Sequence, residues 1–185
     1  MRIVLAGVLG GIVMFIWGSI AHMATPLAYT GISQIGGEKV VLDAFKQGIG
    51  KKPGLYFFPW TDPKDPKAME KGIELAKTEP TGFIVYTPAG SDTSMTPLLL
   101  GEFAKETLQC LLAAFLLSLT ALTAYSARVG FIGLVGVITA LGTDTSYWIW
   151  YGFPLSYTLA VIAMPLIGLL LASLVIASLV KPRLA

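Results

Sequence analysis

The sequence predicts an α-helical membrane protein with four transmembrane helices and a small extracytoplasmic α/β insert between helices 1 and 2. Three observations lead there. The chain is 55% hydrophobic and only 13% charged, with a mean hydropathy of +0.72, whereas a soluble domain carries roughly a quarter charged residues. It contains four apolar runs close to the roughly 20 residues that take a helix across about 30 Å of hydrocarbon. Nearly all the Lys, Asp and Glu residues fall in one block between the first two runs.

The formal net charge of +2 is small and no basic run tracks a phosphate backbone, so a nucleic-acid partner is not expected. Cys110 is the single cysteine, which excludes an intrachain disulfide and a cysteine-built metal cluster.

Residues 1–23 make the first transmembrane helix, with an uncharged run from Ile3 to Met23. A signal peptide is the rival reading. The apolar core exceeds the usual 7–15 residues of about that class, and Ala21-His22-Met23-Ala24 makes a poor cleavage site. Gly7, Gly11 and Gly18 fall within about 40° of one another on a helical wheel, so they form a helix-packing stripe. Small residues four apart let membrane helices approach closely.

Residues 24–103 form the insert. Val40, Val41, Ala44 and Phe45 give Glu38–Gly48 the spacing of a short amphipathic helix closed by a glycine. Gly54 to Pro59 reads as a strand. Asp65-Pro66 then opens a second helix, Asp as N-cap and Pro at the first position, with Met69, Ile73 and Ala76 as its buried face. Thr81 to Thr87 is a second strand; were the two parallel, their crossover would be right-handed. A two-stranded sheet is marginal alone, so the insert is expected to lean on something else.

Residues 104–185 carry transmembrane helices 2–4, at about 107–127, 129–149 and 155–180, the last kinked at Pro165. Four spans put both termini on one side, with Arg2, Arg128, Lys181 and Arg183 facing it and only Asp144 in the opposite short turn. That charge bias predicts cytoplasmic termini. In a bacterial inner membrane, the insert would then be periplasmic. The turn from Gly142 to Tyr157 crowds six aromatic residues together, as headgroup-level belts do.

In this topology His22, Glu106, Asp144, Tyr147, Trp148, Trp150 and Tyr157 share the outer layer and are the candidate ligand-binding residues. Polar side chains at that level more often cap helices or snorkel to water. The sharper reading is a pocket roofed by the insert, with Asp144 as its main polar group, because a buried carboxylate in a membrane is expensive. No cofactor is expected. His22, the single histidine, would be the axial ligand if the chain held a haem or chlorophyll-type pigment, and no metal is expected. The usual catalytic arrangements are missing: there is no Gly-x-Ser-x-Gly, His-Glu-x-x-His or phosphate-cradling Gly-Lys-Ser/Thr.

Trp17-Gly18 with His22-Met23, Gly54-Leu55-Tyr56-Phe57-Phe58-Pro59, Gly82-Phe83-Ile84-Val85-Tyr86 and Tyr147-Trp148-Ile149-Trp150-Tyr151-Gly152-Phe153-Pro154 together resemble a group of uncharacterised bacterial four-helix inner-membrane proteins with a periplasmic insert. The resemblance implies a bacterial origin and an inner-membrane address, and it transfers no activity. The expected function is a non-enzymatic accessory or scaffold subunit that contacts membrane lipid and a membrane-protein partner, or a second copy of itself. The alternatives are a small-molecule, lipid or pigment carrier with an outer-leaflet pocket and, third, a membrane enzyme acting on a lipid-linked substrate.

Overall fold

The structure, a computed structural model, describes residues 1–181 of the 185-residue chain; Arg183, used above in the topology argument, lies outside the described residues. It is mostly helical. The chain divides into two compact units, one formed by Met1–Ile32 with the segment from Ser94 onward, the other by Ser33–Thr93. Residues 24–32 and 94–103 therefore belong with the long helices.

Four long helices build the first unit: α1 (Arg2–Ala24), α4 (Met95–Ser118), α5 (Tyr125–Tyr151) and α6 (Leu155–Leu179). Among the described residues, α1, α5 and α6 are long and apolar enough to cross a membrane. The sequence suggested four such spans. The fourth candidate, α4, keeps Glu102, Lys105 and Glu106 inside its length, and that charge load removes it from the same class.

The bounds of α4 are the main departure from the hydrophobic pattern. The uncharged run suggested 107–127, with Arg128 ending the helix. Instead α4 starts after Ser94 and carries Pro97 in its first turn, where the missing N–H would have had no helical partner anyway. At the other end the Ser118 hydroxyl donates to the Phe115 carbonyl and the Thr120 hydroxyl to that of Leu117. These hydroxyls satisfy the last carbonyls locally and compete with further helix. Arg128 consequently sits in the first turns of α5, buried at 8% exposure.

Small side chains determine how these helices meet. A Cβ placed on Gly7 would lie 2.8 Å from the Leu111 backbone, and one on Gly11 would lie 2.6 Å from that of Thr107. Phe15 meets Phe103 edge-on at 5.6 Å. As residue numbers rise on α1 they fall on α4, so the pair is antiparallel. The other side of α1 packs on α6 in the same sense: Gly10 meets Ile176, and Trp17 meets Gly168. The Trp17 indole N–H also donates to the Met164 carbonyl at 2.8 Å. Helix α5 packs on α6 through Gly133 against Leu170 and Gly136 against Leu169, while α4 and α5 touch little. The spatial order is thus α4, α1, α6, α5.

The buried centre of this unit holds Ala6, Met14, Cys110, Leu117, Ile132 and Ile176. Cys110 is fully buried, its Sγ 3.4 Å from the sulfur of Met14. The opposite face of α1, Leu5, Leu9, Ile12, Ile16 and Ile20, is exposed, as a lipid-facing stripe would be. A short 3-10 turn at Pro26–Tyr29 follows α1. It leads to Gly31, whose φ of +79° and position against the Tyr157 backbone leave no room for a side chain.

The second unit holds α2 (Glu38–Gly48), β1 (Gly54–Phe58), α3 (Ala68–Leu75) and β2 (Gly82–Tyr86). The strands are antiparallel, with Leu55 opposite Val85 and Phe57 opposite Phe83, so no crossover arises. The Asp65-Pro66 start is moved along the chain. Asp65 first closes a turn, its side chain accepting from the Lys67 N–H at 2.9 Å and its carbonyl from that of Ala68 at 2.9 Å, and α3 begins after it. Its packed side is also different: Met69 is 81% and Ile73 60% exposed, Ala76 is exposed, and Ala68 and Gly72 are half-buried. A Cβ on Gly72 would lie 3.9 Å from the Thr61 hydroxyl, an ordinary packing distance. On α2, Val41 and Phe45 are half-buried while Val40 and Ala44 are exposed.

Two predictions follow from these contacts. Gly11→Leu should destabilise the protein by about 1–3 kcal/mol, the usual range for overpacking, because the Thr107 backbone cannot move aside as a side chain can; thermal unfolding in detergent measures it. The Lys71 ammonium, 2.6 Å from Asp65, together with the Lys67 N–H holds the Asp65 carboxyl below its usual range. A depressed folded pKa means that the ion pair contributes above the unfolded carboxylate value and is lost as pH falls through the depressed one. Amide exchange in α3 should therefore accelerate below the ordinary carboxylate range, and Lys71→Ala should remove that acid-dependent step.

Candidate functional site

Antiparallel packing brings the C-terminal end of α1 beside the N-terminal half of α4. Because α4 begins at Met95, Glu106 lies at its middle and not at its start. The neighbouring Thr107 packs on Gly11, near the middle of α1, which places Glu106 deep along the bundle. Its side chain runs past Gly18, where a Cβ would lie 3.5 Å from Oε1. Glu106 is only 5% exposed. Among the described residues its Oε2, fully buried, accepts no hydrogen bond, and the hydroxyl of Thr107, the next residue in the chain, is likewise unpartnered.

Two cavities open on this carboxylate. The larger, about 420 Å³, lies between α1 and α4 and is walled by Phe15, Met23, Met95, Leu98 and Leu99, with Ser19, His22 and Glu102 at its polar side. The smaller, about 160 Å³, runs toward α6 and is lined by Trp17, Gly18, Lys105, Met164 and Pro165 as well as His22 and Glu106. Cavities of a few hundred cubic ångströms with apolar walls and few polar groups are the usual form of a small-ligand site. Lys105 is taken up by Glu102 at 2.6 Å. His22 is exposed, and its Nδ1 lies 2.9 Å from the Gly18 carbonyl. A carbonyl only accepts, so Nδ1 carries the proton and Nε2 is left for other contacts.

The sequence candidates divide into three places. His22 and Glu106 line the same cavities. Asp144, half-buried on α5, lines a separate small cavity of about 50 Å³ with Gln109, Thr139 and Ile162. The two sites share Pro165 as a wall. The aromatic residues lie farther along, at the junction of α5 and α6. There Gly152, at φ +69°, ends α5, and rings meet in a row, Tyr151 tilted against Tyr147 at 5.8 Å, Tyr147 edge-on to Phe153 at 5.6 Å and Phe153 stacked on Tyr157 at 5.3 Å. Trp148 and Trp150 are exposed beside them. The stripe residues Gly7 and Gly11 are buried against α4, and Gly18 faces Glu106.

One polar group escaped the sequence reading. Arg128 counted there as a charge at the membrane surface, yet its Nε and Nη2 are buried without partners among the described residues. Only the start of α5, set by the break after Ser118, reveals this. Among the described residues no three His, Cys, Asp or Glu side chains converge as a metal site would require.

No protein-family model matches this chain, and no curated protein or solved structure matches it either.

An unpartnered buried carboxylate weakens the fold that contains it, since breaking or omitting a partner for a buried charge costs several kcal/mol while an apolar replacement of similar size does not. Glu106→Met should therefore raise stability in detergent by about 1–4 kcal/mol. Chemical denaturation of the two proteins side by side reads the difference, and a destabilised variant would mean that Glu106 has a structural partner.

Proposed function

We propose that this chain is a non-enzymatic accessory or scaffold subunit of a bacterial inner membrane, with both termini cytoplasmic, the insert periplasmic and α4 serving as a fourth span. One observation carries the subunit role: no residue from Ser33 to Thr93 is buried, although the segment forms two helices and a two-stranded sheet. A folded unit without a core of its own is marginal. Covering its apolar surface by association supplies what it lacks.

The sheet indicates which surface. Tyr56 and Tyr86 stand on one side, their rings 6.3 Å apart, and their hydroxyls donate to the carbonyls of Lys52 and Gly50 at 2.9 Å each. That side is occupied by its own loop. Leu55, Phe57 and Val85 stand on the other side, 68%, 50% and 75% exposed, with Leu55 directly opposite Val85. Contiguous exposed apolar surface of this kind marks protein contact. A membrane-protein partner or a second copy of the chain would bury it, and the exposed Trp148 and Trp150 support anchoring at the headgroup level.

Purification in a mild detergent should give an assembly larger than the 19.7 kDa chain once bound detergent is subtracted, as measured by size-exclusion chromatography with light scattering. Leu55→Asp with Val85→Asp should reduce it to a monomer without altering the helical circular dichroism of the long helices. A wild-type protein that is already a monodisperse monomer overturns the subunit role.

A further inference from the structure

We propose that the cleft between α1 and α4 is a binding site for an amphiphile with a primary ammonium head, which Glu106 holds by charge-assisted hydrogen bonds. The site does not depend on the subunit role and would persist in a monomer.

The argument begins with charge. Four ionisable side chains line the two cavities: His22, Glu102, Lys105 and Glu106. Glu102 and Lys105 satisfy each other at 2.6 Å, and His22 has its Nδ1 proton on the Gly18 carbonyl. Glu106 remains as an acceptor that is 5% exposed, with no donor to Oε2 among the described residues. A group in that state keeps its charge only when a cation or strong donor reaches it. Ionisable residues deep in membrane helices mark ligand or ion pathways for the same reason.

Shape then selects the ligand. The carboxylate lines a cleft of about 420 Å³ whose apolar wall is Phe15, Met23, Met95, Leu98 and Leu99. Of these, Met23, Met95, Leu98 and Leu99 are exposed on the bundle surface, so the cleft is open along its side. An alkyl chain fits such a wall, which a small hydrated cation would leave uncovered. The head group must donate. A primary ammonium offers three N–H donors to a carboxylate, whereas a quaternary ammonium has none. The missing Cβ of Gly18 leaves the space through which that head reaches Oε1.

Two sources carry this chemistry, a phospholipid with an ethanolamine head and a free long-chain amine, and one experiment separates them. Full-length protein in a sugar detergent is offered equimolar ethanolamine and choline phospholipids of identical acyl chains and, separately, dodecylamine and dodecyltrimethylammonium. Native mass spectrometry counts what remains bound. The proposal expects the primary ammonium to be retained at least about tenfold over its methylated counterpart, a typical factor for charge-assisted hydrogen bonding. Discrimination in both pairs shows a site for either source, discrimination between the lipids alone shows a lipid site, and between the amines alone a free-amine site. Equal retention within both pairs overturns the proposal. Glu106→Gln should abolish the discrimination, whereas Glu79→Gln on the insert should leave it intact. A folded Glu106→Gln protein that still discriminates overturns it as well, and if that variant fails to fold, the methylation comparison in wild-type protein decides alone.

Discussion

Close approach along α1 is the constraint on which the helical unit depends. In hydrocarbon, apolar side chains gain nothing by leaving lipid for one another, so helices associate through van der Waals contact and hydrogen bonds, both of which need short distances. Ala6, Gly7, Gly10 and Gly11 remove side-chain bulk from the faces that α1 turns to α4 and α6. The Trp17 N–H adds a hydrogen bond to the Met164 carbonyl. Larger residues here would push the helices toward the ordinary separation of about 8–10 Å and loosen three helices at once. The same glycine pattern continues to Gly18, where α4 answers with Glu106 and not with an apolar side chain. Packing gives way to a cavity at that point.

The chain therefore carries two unfinished features of opposite kind. One is polar and internal: the Glu106 carboxylate, buried between α1 and α4 with an oxygen that no described residue satisfies. The other is apolar and external: the Leu55, Phe57 and Val85 side of the sheet, in a unit that buries none of its residues. Each departs from the consistency that a stable isolated fold shows, and such departures gather at functional positions. The buried Arg128 of α5 belongs with the first kind.

Much of the architecture was legible from periodicity and punctuation. The helix over Glu38–Gly48 and the strand cores Gly54–Phe58 and Gly82–Tyr86 lie where apolar spacing and turn residues place them, because these signals are local. The ends of α5 and α6 at Gly152 and Pro154 are local too. Charge counting was less reliable for α4. Three charged residues within five positions read as a water-exposed boundary, yet the helix runs through them, since Lys105 and Glu102 neutralise each other along one turn. On α3 periodicity finds the greasy side of the helix, whereas the half-buried side is the one that carries Ala68 and Gly72, because what covers a helix depends on its neighbours and not on its own spacing.

By itself the sequence determined that the chain is apolar, that it holds helices of membrane-crossing length, and that glycines striped along the first of them favour close packing. Those properties reside in composition and in spacing along one helix. Tertiary structure decided which side chains meet. It grouped His22 with Glu106, set Asp144 in a different cavity and buried Arg128. Each outcome depends on the start of α4 and on the order α4, α1, α6, α5, which no single helix specifies, because helix register and neighbour choice are properties of paired surfaces.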